Sequence, residues 1–206
     1  MGKIEFYFVR HGETEWNKDG RLQGWLDSPL TNKGRESALR LSDFLQMLNF
    51  DAVYSSTSGR AIETARILNE QSLEIQMDKR LQEIQLGAWQ GQYIQHILKE
   101  DGARYLNYCN EPDKYQPNGG ETFDQVSTRM VEFLNHCISR YKNGRILVVT
   151  HAVAIRCLLL VIQNLSISQI WKTGEIEGTS VTKIIVENKE IRVEYIGRIF
   201  HNHLKM

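Results

Sequence analysis

The sequence predicts an α/β fold: a three-layer sandwich with a mainly parallel central sheet between helices, and a helical insertion or lid over the carboxyl ends of its strands. Three observations predict it. Short apolar, β-prone runs alternate with segments whose apolar residues recur at helical spacing. Three of those runs lead into Arg-His, Ser-Ser or Thr-His, at the strand ends where open α/β sheets bind ligands. Between residues 92 and 120 the alternation gives way to a Tyr-rich, weakly patterned stretch.

Residues 4–9 form an apolar and aromatic run bounded by charge, which reads as a buried strand, and the chain through Pro29 reads as loop. Over 32–48, Ala38, Leu41, Leu45 and Leu48 share one helical face, with Thr31 as N-cap. A second strand at 52–54 precedes a Ser/Thr cluster and a helix carrying Ala61, Ala65 and Leu68 on one side. After a short strand near Ile75, residues 83–91 are punctuated by glycine, and the Tyr-rich region ends at Pro117-Asn118-Gly119-Gly120. Residues 121–141 predict a long helix with Val126, Met130, Phe133, Leu134 and Cys137 inward, closed by Gly144. Residues 146–149 are the most β-like run, followed by a helix from Ala152 and a terminal strand pair, 181–186 and 191–196, around Asn188-Lys189.

At 206 residues the chain suits one domain, 1–206, with an insertion at about 92–120. Lys plus Arg and Asp plus Glu both number 25, so no global field draws it to nucleic acid or to an acidic membrane, and an anion site must be built locally. Cys109, Cys137 and Cys157 form no close pair and no Cys-x-x-Cys, so they read as incidental thiols rather than a disulfide or zinc framework. The opening run is too brief for a signal peptide, and the most apolar run, 153–162, is too short to cross a bilayer. A cytoplasmic location is the expectation, with monomer and homodimer left open.

The strand at 4–9 leads into Arg10-His11-Gly12-Glu13, the second into Ser55-Ser56 and then Arg60, and the run at 146–149 into Thr150-His151. In a parallel sheet such ends lie side by side, so two histidines and two arginines distant in sequence can share a pocket. Arg60 falls in the first turn of its helix, where the dipole disfavours a cation and an anion would relieve the conflict. Guanidinium forks match pairs of phosphoryl oxygens, and Gly12 would admit a ligand close to the backbone. Histidine is a competent nucleophile near neutrality, and a neighbouring arginine keeps it uncharged. His151, protonated or donating, would steady the three equatorial oxygens in flight. A carboxyl group must protonate the leaving alkoxide and later deprotonate water; Glu83, near the turns at Gly87 and Gly91, is the first candidate and Glu13 the competitor.

These residues resemble the histidine phosphatase superfamily, the group of cofactor-dependent phosphoglycerate mutases and many small phosphatases. The similarity runs from Phe8-Val9-Arg10-His11-Gly12-Glu13-Thr14 through Trp16-Asn17, Arg21-Leu22-Gln23-Gly24-Trp25, Leu30-Thr31 and Gly34. It continues in Ser55-Ser56, Arg60-Ala61, Thr64-Ala65, Glu83 with Gly87, Trp89 and Gly91, Gly119-Gly120-Glu121, and Val148-Val149-Thr150-His151. The resemblance implies His11 as the phosphohistidine, Arg10, Arg60 and His151 as a phosphate clamp, and Glu83 as proton donor and acceptor. It implies Thr14, Asn17, Gln23, Gly24 and Ala152 around a small phosphorylated substrate, and a metal-free mechanism without cofactor. Ala152 stands where the family often has Gly, and Ser58 where it often has Leu.

Mutases of this family resemble one another in an Arg-Tyr or Arg-His-Tyr run after the acidic residue; here Glu83 is followed by Ile84-Gln85-Leu86. The expectation is therefore a phosphomonoester hydrolase, with the mutase as alternative, Arg104 as the residue that would favour it, and a non-catalytic phospho-ligand binder as a third reading. His96, His136, His201 and His203 read as surface residues, Trp25 and Trp89 as packing residues. Tyr93, Tyr105, Tyr108 and Tyr115 read either as an aromatic specificity pocket or as lid packing. No Cys-x5-Arg loop, Asp-x-Asp, Gly-x-Ser-x-Gly or Walker loop supports another phosphate chemistry.

Overall fold

A computed structural model of the chain describes residues 2–200. It opens with β1 (Lys3–Arg10), followed by a short α1 (Glu15–Lys18), α2 (Asn32–Leu45), β2 (Ala52–Ser55), α3 (Gly59–Leu68) and β3 (Ile75–Met77). Then come α4 (Ile94–Glu100), α5 (Gly102–Asn110), α6 (Phe123–Arg140), β4 (Gly144–Thr150), α7 (Ala152–Ile162), β5 (Val181–Glu187) and β6 (Glu190–Arg198). The six strands make one sheet in the order β3-β2-β4-β1-β5-β6. The first four are parallel; β5 runs antiparallel to β1, and β6 antiparallel to β5.

Alternation along each strand divides the core in two. Phe6 and Phe8 of β1, Tyr54 of β2 and Ile146 and Val148 of β4 pack with α6 and α7. Tyr7 and Val9, Val53, and Leu147 and Val149 face the other way, against α2 and α3. The sheet is thus buried on both sides, as parallel strands require.

β4 lies between β1 and β2, with Arg10 opposite Thr150 and Ser55 opposite Val149. The chain beyond each strand stays in register: His11 N donates to Thr150 O at 3.0 Å and Ser56 N to Val149 O at 2.9 Å. That pairing brings three reactive sequence segments to one edge.

Several boundaries differ from the sequence reading for identifiable reasons. The segment before Pro29 is not all loop: Thr14 caps α1 through a capping box with Asn17. Thr31 caps α2 as expected, but the helix ends at Leu45 and Leu48 lies in the turn beyond. Gly144 does not close α6, whose C-cap is Tyr141; it begins β4 at φ 123°, where a side chain would strike the Asp51 carboxylate. The stretch 92–120 folds into α4, α5 and a single 3-10 turn at Pro112–Lys114. Asn188 and Lys189, at φ 53° and 68°, form the two-residue hairpin between β5 and β6. His201 and His203 lie outside the described residues.

Phe133 on α6 meets Phe8 at 6.5 Å and Tyr54 at 5.3 Å, edge to face, and so ties α6 to both β1 and β2. Phe133→Ala is expected to destabilise the fold by about 3–5 kcal/mol, read from the urea unfolding midpoint against the wild type.

Candidate active site

His11 follows β1 and is buried. Its Nδ1 donates to the Gly12 carbonyl at 2.8 Å, which puts the proton on that nitrogen and leaves Nε2 as the basic, nucleophilic one. Nε2 accepts from Arg60 Nε at 3.2 Å. Burial, reinforced by the charges of Arg60 and Arg10, holds the imidazole well below its ordinary pKa, so it remains neutral. Gly12 is also required by packing: a Cβ there would stand 2.8 Å from the Gly34 carbonyl oxygen.

His151 is the N-cap of α7, and its ring lies 5.1 Å from that of His11. Arg60 Nη2 donates to its Nδ1 at 3.2 Å, so the ring carries its proton on Nε2 and donates to Ser56 Oγ at 2.8 Å. Burial, then Arg60 and His11, lower its pKa as well. In this arrangement His151 is neutral, receives a hydrogen bond on the Arg60 side and donates on the Ser56 side.

Arg60, 1% exposed, bridges the two imidazoles. Its remaining donors go to Leu26 O at 2.7 Å, Asp27 Oδ1 at 2.9 Å and Gly24 O at 2.9 Å. The anion at the start of α3 that relieves the dipole conflict is therefore the Asp27 carboxylate, which also accepts from Arg60 N at 3.3 Å. Arg10 donates from Nη1 to Ile176 O at 2.8 Å, while its buried Nε has no partner among the described residues. A buried donor left unpaired costs about 1–3 kcal/mol, which a phosphoryl oxygen would remove.

Glu83 lies at the beginning of α7. Its carboxylate accepts from Ile84 N (2.9 Å), Ala154 N (3.2 Å) and Val153 N (3.3 Å), so the helix terminus holds both this carboxylate and His151. Arg129 on α6 fixes the backbone beneath it, donating to the carbonyls of Arg80 (2.7 Å), Gln82 (2.6 Å) and Glu83 (3.0 Å), and pairing in parallel with Glu121. Glu13, the competitor, bonds Lys33 at 3.1 Å and Thr31 at 2.9 Å and lines a different cavity, which removes it from the site.

A cavity of about 160 Å³ opens over these groups, lined by Arg10, His11, Arg60 and Glu83, with Asn17, Gln23 and Gly24 among its walls. Buried Gln23 Oε1 also lacks a partner among the described residues. Thr14 does not reach this cavity: it is buried and bonded to Asn17. Nor does Ala152 line it; the neighbouring Val153 does. Sequence reasoning missed Asp27, Arg21, Leu22, Ile84, Leu86 and Val153, and left Tyr108 undecided; Tyr108 both lines the cavity and packs edge-on to Trp89 at 5.9 Å. Trp89 is buried as expected, whereas Trp25 is 46% exposed and donates from Nε1 to Glu83 O at 2.8 Å.

Two neutral imidazoles, two guanidiniums and a carboxylate converging at strand ends form a set suited to transferring a phosphoryl group through histidine. The family model of the histidine phosphatase superfamily (branch 1) matches residues 6–198, and the chain belongs to that family. It is 31% identical over 172 residues to phosphoserine phosphatase 1 of Hydrogenobacter thermophilus, covering 83% of this chain and 82% of that one. Among solved structures it resembles Bacillus stearothermophilus YhfR, with a TM-score of 0.92, 38% identity and coverage of 95% and 98% of the two chains. It also resembles a phosphoglycerate mutase from Bacillus anthracis, with a TM-score of 0.82, 28% identity and coverage of 96% and 94%.

Removing Arg129 leaves a nearly buried carboxylate and three carbonyls without their partner, so Arg129→Ala is expected to cost about 3–5 kcal/mol in urea unfolding. His11 and His151 resist protonation when folded but accept it near the ordinary histidine value when unfolded. Their contribution is therefore fully present above about pH 6.5 and declines as pH falls below it, by up to about 1.4 kcal/mol per pH unit for each ring. Between pH 6.5 and 5 the wild type should lose stability more steeply than His11→Gln, measured by urea titration at each pH.

Proposed function

We propose that this chain is a phosphomonoester hydrolase that transfers a phosphoryl group from a small phosphorylated substrate to His11 Nε2 and then to water. The observation that carries this is the orientation of His11: Nδ1 is occupied by the Gly12 carbonyl, and Nε2 faces Arg60 inside the cavity. As the substrate's phosphoryl oxygens approach, they take over the donors of Arg60 that rest on the two imidazoles, and the Nε2 lone pair is released. Nε2 forms a bond to phosphorus as the P–O bond to the alcohol breaks, and Glu83 supplies the proton that the leaving alkoxide needs. In the second step Glu83 takes a proton from water as its oxygen displaces His11 from phosphorus. Arg10 and Arg60 balance the charge on the equatorial oxygens throughout.

Hydrolysis is favoured over isomerisation by what surrounds the cavity. Arg104, the candidate for gripping a substrate carboxylate, is paired with Asp101 and does not line it. The cavity wall next to Glu83 is Ile84 and Leu86. The reaction calls for no metal and no cofactor, because the phosphoryl charge is met by guanidiniums and the proton by a carboxyl group. We assign residues 92–120 as an insertion into a single domain, and the cytoplasm as its location. No helix among the described residues is long and apolar enough to cross a membrane, which is compatible with that location.

Rapid mixing with p-nitrophenyl phosphate and quenching in alkali, which preserves phosphohistidine, should leave phosphate on His11. Its absence from the wild type, or its persistence in His11→Ala, would overturn the reading. Turnover should be unchanged by EDTA, fall about 100-fold or more in Glu83→Gln for a poor leaving group, and proceed without interconversion of 2- and 3-phosphoglycerate.

A further inference from the structure

Among the described residues, the carboxylate within ion-pair distance of Arg60 is Asp27. The pair is unequal: the Arg60 side chain is 1% exposed and that of Asp27 42%. A guanidinium with no access to solvent is expensive to bury unless a counter-charge accompanies it, and a half-exposed carboxylate supplies one with little desolvation of its own.

The five N–H groups of Arg60 divide into two sets. Nη1 gives both of its bonds to the 24–27 loop, to Leu26 O and Asp27 Oδ1, and Nη2 gives one more to Gly24 O. The second set is Nε–H and the remaining Nη2–H, which rest on His11 Nε2 and His151 Nδ1 at 3.2 Å each. These two donors share one edge of the planar group and form a fork. Their present acceptors are neutral nitrogens, which ionised phosphoryl oxygens outcompete. The loop bonds therefore fix which edge faces the chemistry. Two of the three end on carbonyls; the third ends on Asp27, whose same oxygen also accepts from Arg60 N, so main chain and side chain are held from one point. Asp27 also closely approaches Gly59, where an added Cβ would collide with its carboxylate.

We propose that Asp27 is the positioning residue for Arg60, holding one edge of the guanidinium so that the other presents a two-pronged N–H fork to the phosphoryl group on its way to His11. This rests on the hydrolase reading above. The competing role is a helix cap alone, since Ser58, the N-cap of α3, makes no side-chain cap bond.

The two roles separate on kinetics. With p-nitrophenyl phosphate, Asp27→Ala is expected to lower kcat by about 10- to 100-fold, on the scale of a misplaced transition-state donor, with KM changed less than about three-fold because Arg10 still holds the ground state. Asp27→Asn keeps the acceptor oxygen and should restore kcat to within about five-fold of the wild type. An Asp27→Ala enzyme with unchanged kcat and only a lower thermal midpoint would reduce Asp27 to a cap and overturn the proposal. So would an Asn variant as slow as the Ala one. If Asp27→Ala does not fold by circular dichroism, Asp27→Ser replaces it under the same criteria.

Binding of inorganic phosphate, measured by calorimetry, keeps the two claims apart. A wild type that hydrolyses no phosphomonoester sinks the hydrolase reading; if it still binds phosphate, the Asp27 assignment stands when Asp27→Ala binds orthovanadate, a mimic of the five-coordinate phosphorus, about ten-fold more weakly, and falls when it binds orthovanadate equally well. A wild type that neither hydrolyses the ester nor binds phosphate removes both.

Discussion

The site depends on one buried guanidinium with no N–H to spare. Arg60 reaches both imidazoles and the 24–27 loop at once, so β1, β4 and a loop of no regular structure meet at a single side chain. Lysine could not replace it, because an ammonium group has three donors and no planar edge. The burial that makes this arrangement costly also makes it useful: away from water, a fixed fork acts on phosphoryl oxygens with little screening, and the same lack of solvent keeps two histidines uncharged.

Sheet order explains how such a cluster forms from remote segments. With β4 between β1 and β2, the chain leaves the sheet at the same end of three neighbouring strands. Helices α3 and α7 start at the same edge, and each terminus receives a carboxylate from elsewhere in the chain, Asp27 on one and Glu83 on the other. Helix termini that would attract any passing anion are thus partly committed, and the guanidinium donors facing the cavity are left to recognise phosphate.

The chemistry-bearing strand ends were legible in the sequence because each couples a short apolar run to a charged or hydroxylic residue at its boundary. Long helices were legible for a similar reason: α6 keeps Val126, Met130, Phe133, Leu134 and Cys137 on one stripe. Other features were hidden by their dependence on distant partners. Gly144 looked like a helix stop, but the residue that demands glycine there is Asp51, 93 positions earlier. The family resemblance implied Thr14 as a substrate contact, yet its hydroxyl caps the start of a one-turn helix. Asp27 sits in a loop among Trp25, Leu26 and Ser28 with no periodicity to mark it, and Arg129 is placed by three carbonyls that no local pattern announces.

The apolar walls of the cavity come from separate parts of the chain: Leu22 from the loop before Trp25, Leu86 from the glycine-rich turn, Tyr108 from α5 and Val153 from the first turn of α7. No side chain among them donates to, accepts from or charges the reacting groups; Val153 touches Glu83 only through its backbone N–H. Selection can therefore redraw the shape of the acceptable alcohol one wall at a time, and a lineage built on this scaffold can drift among substrates without rebuilding its engine.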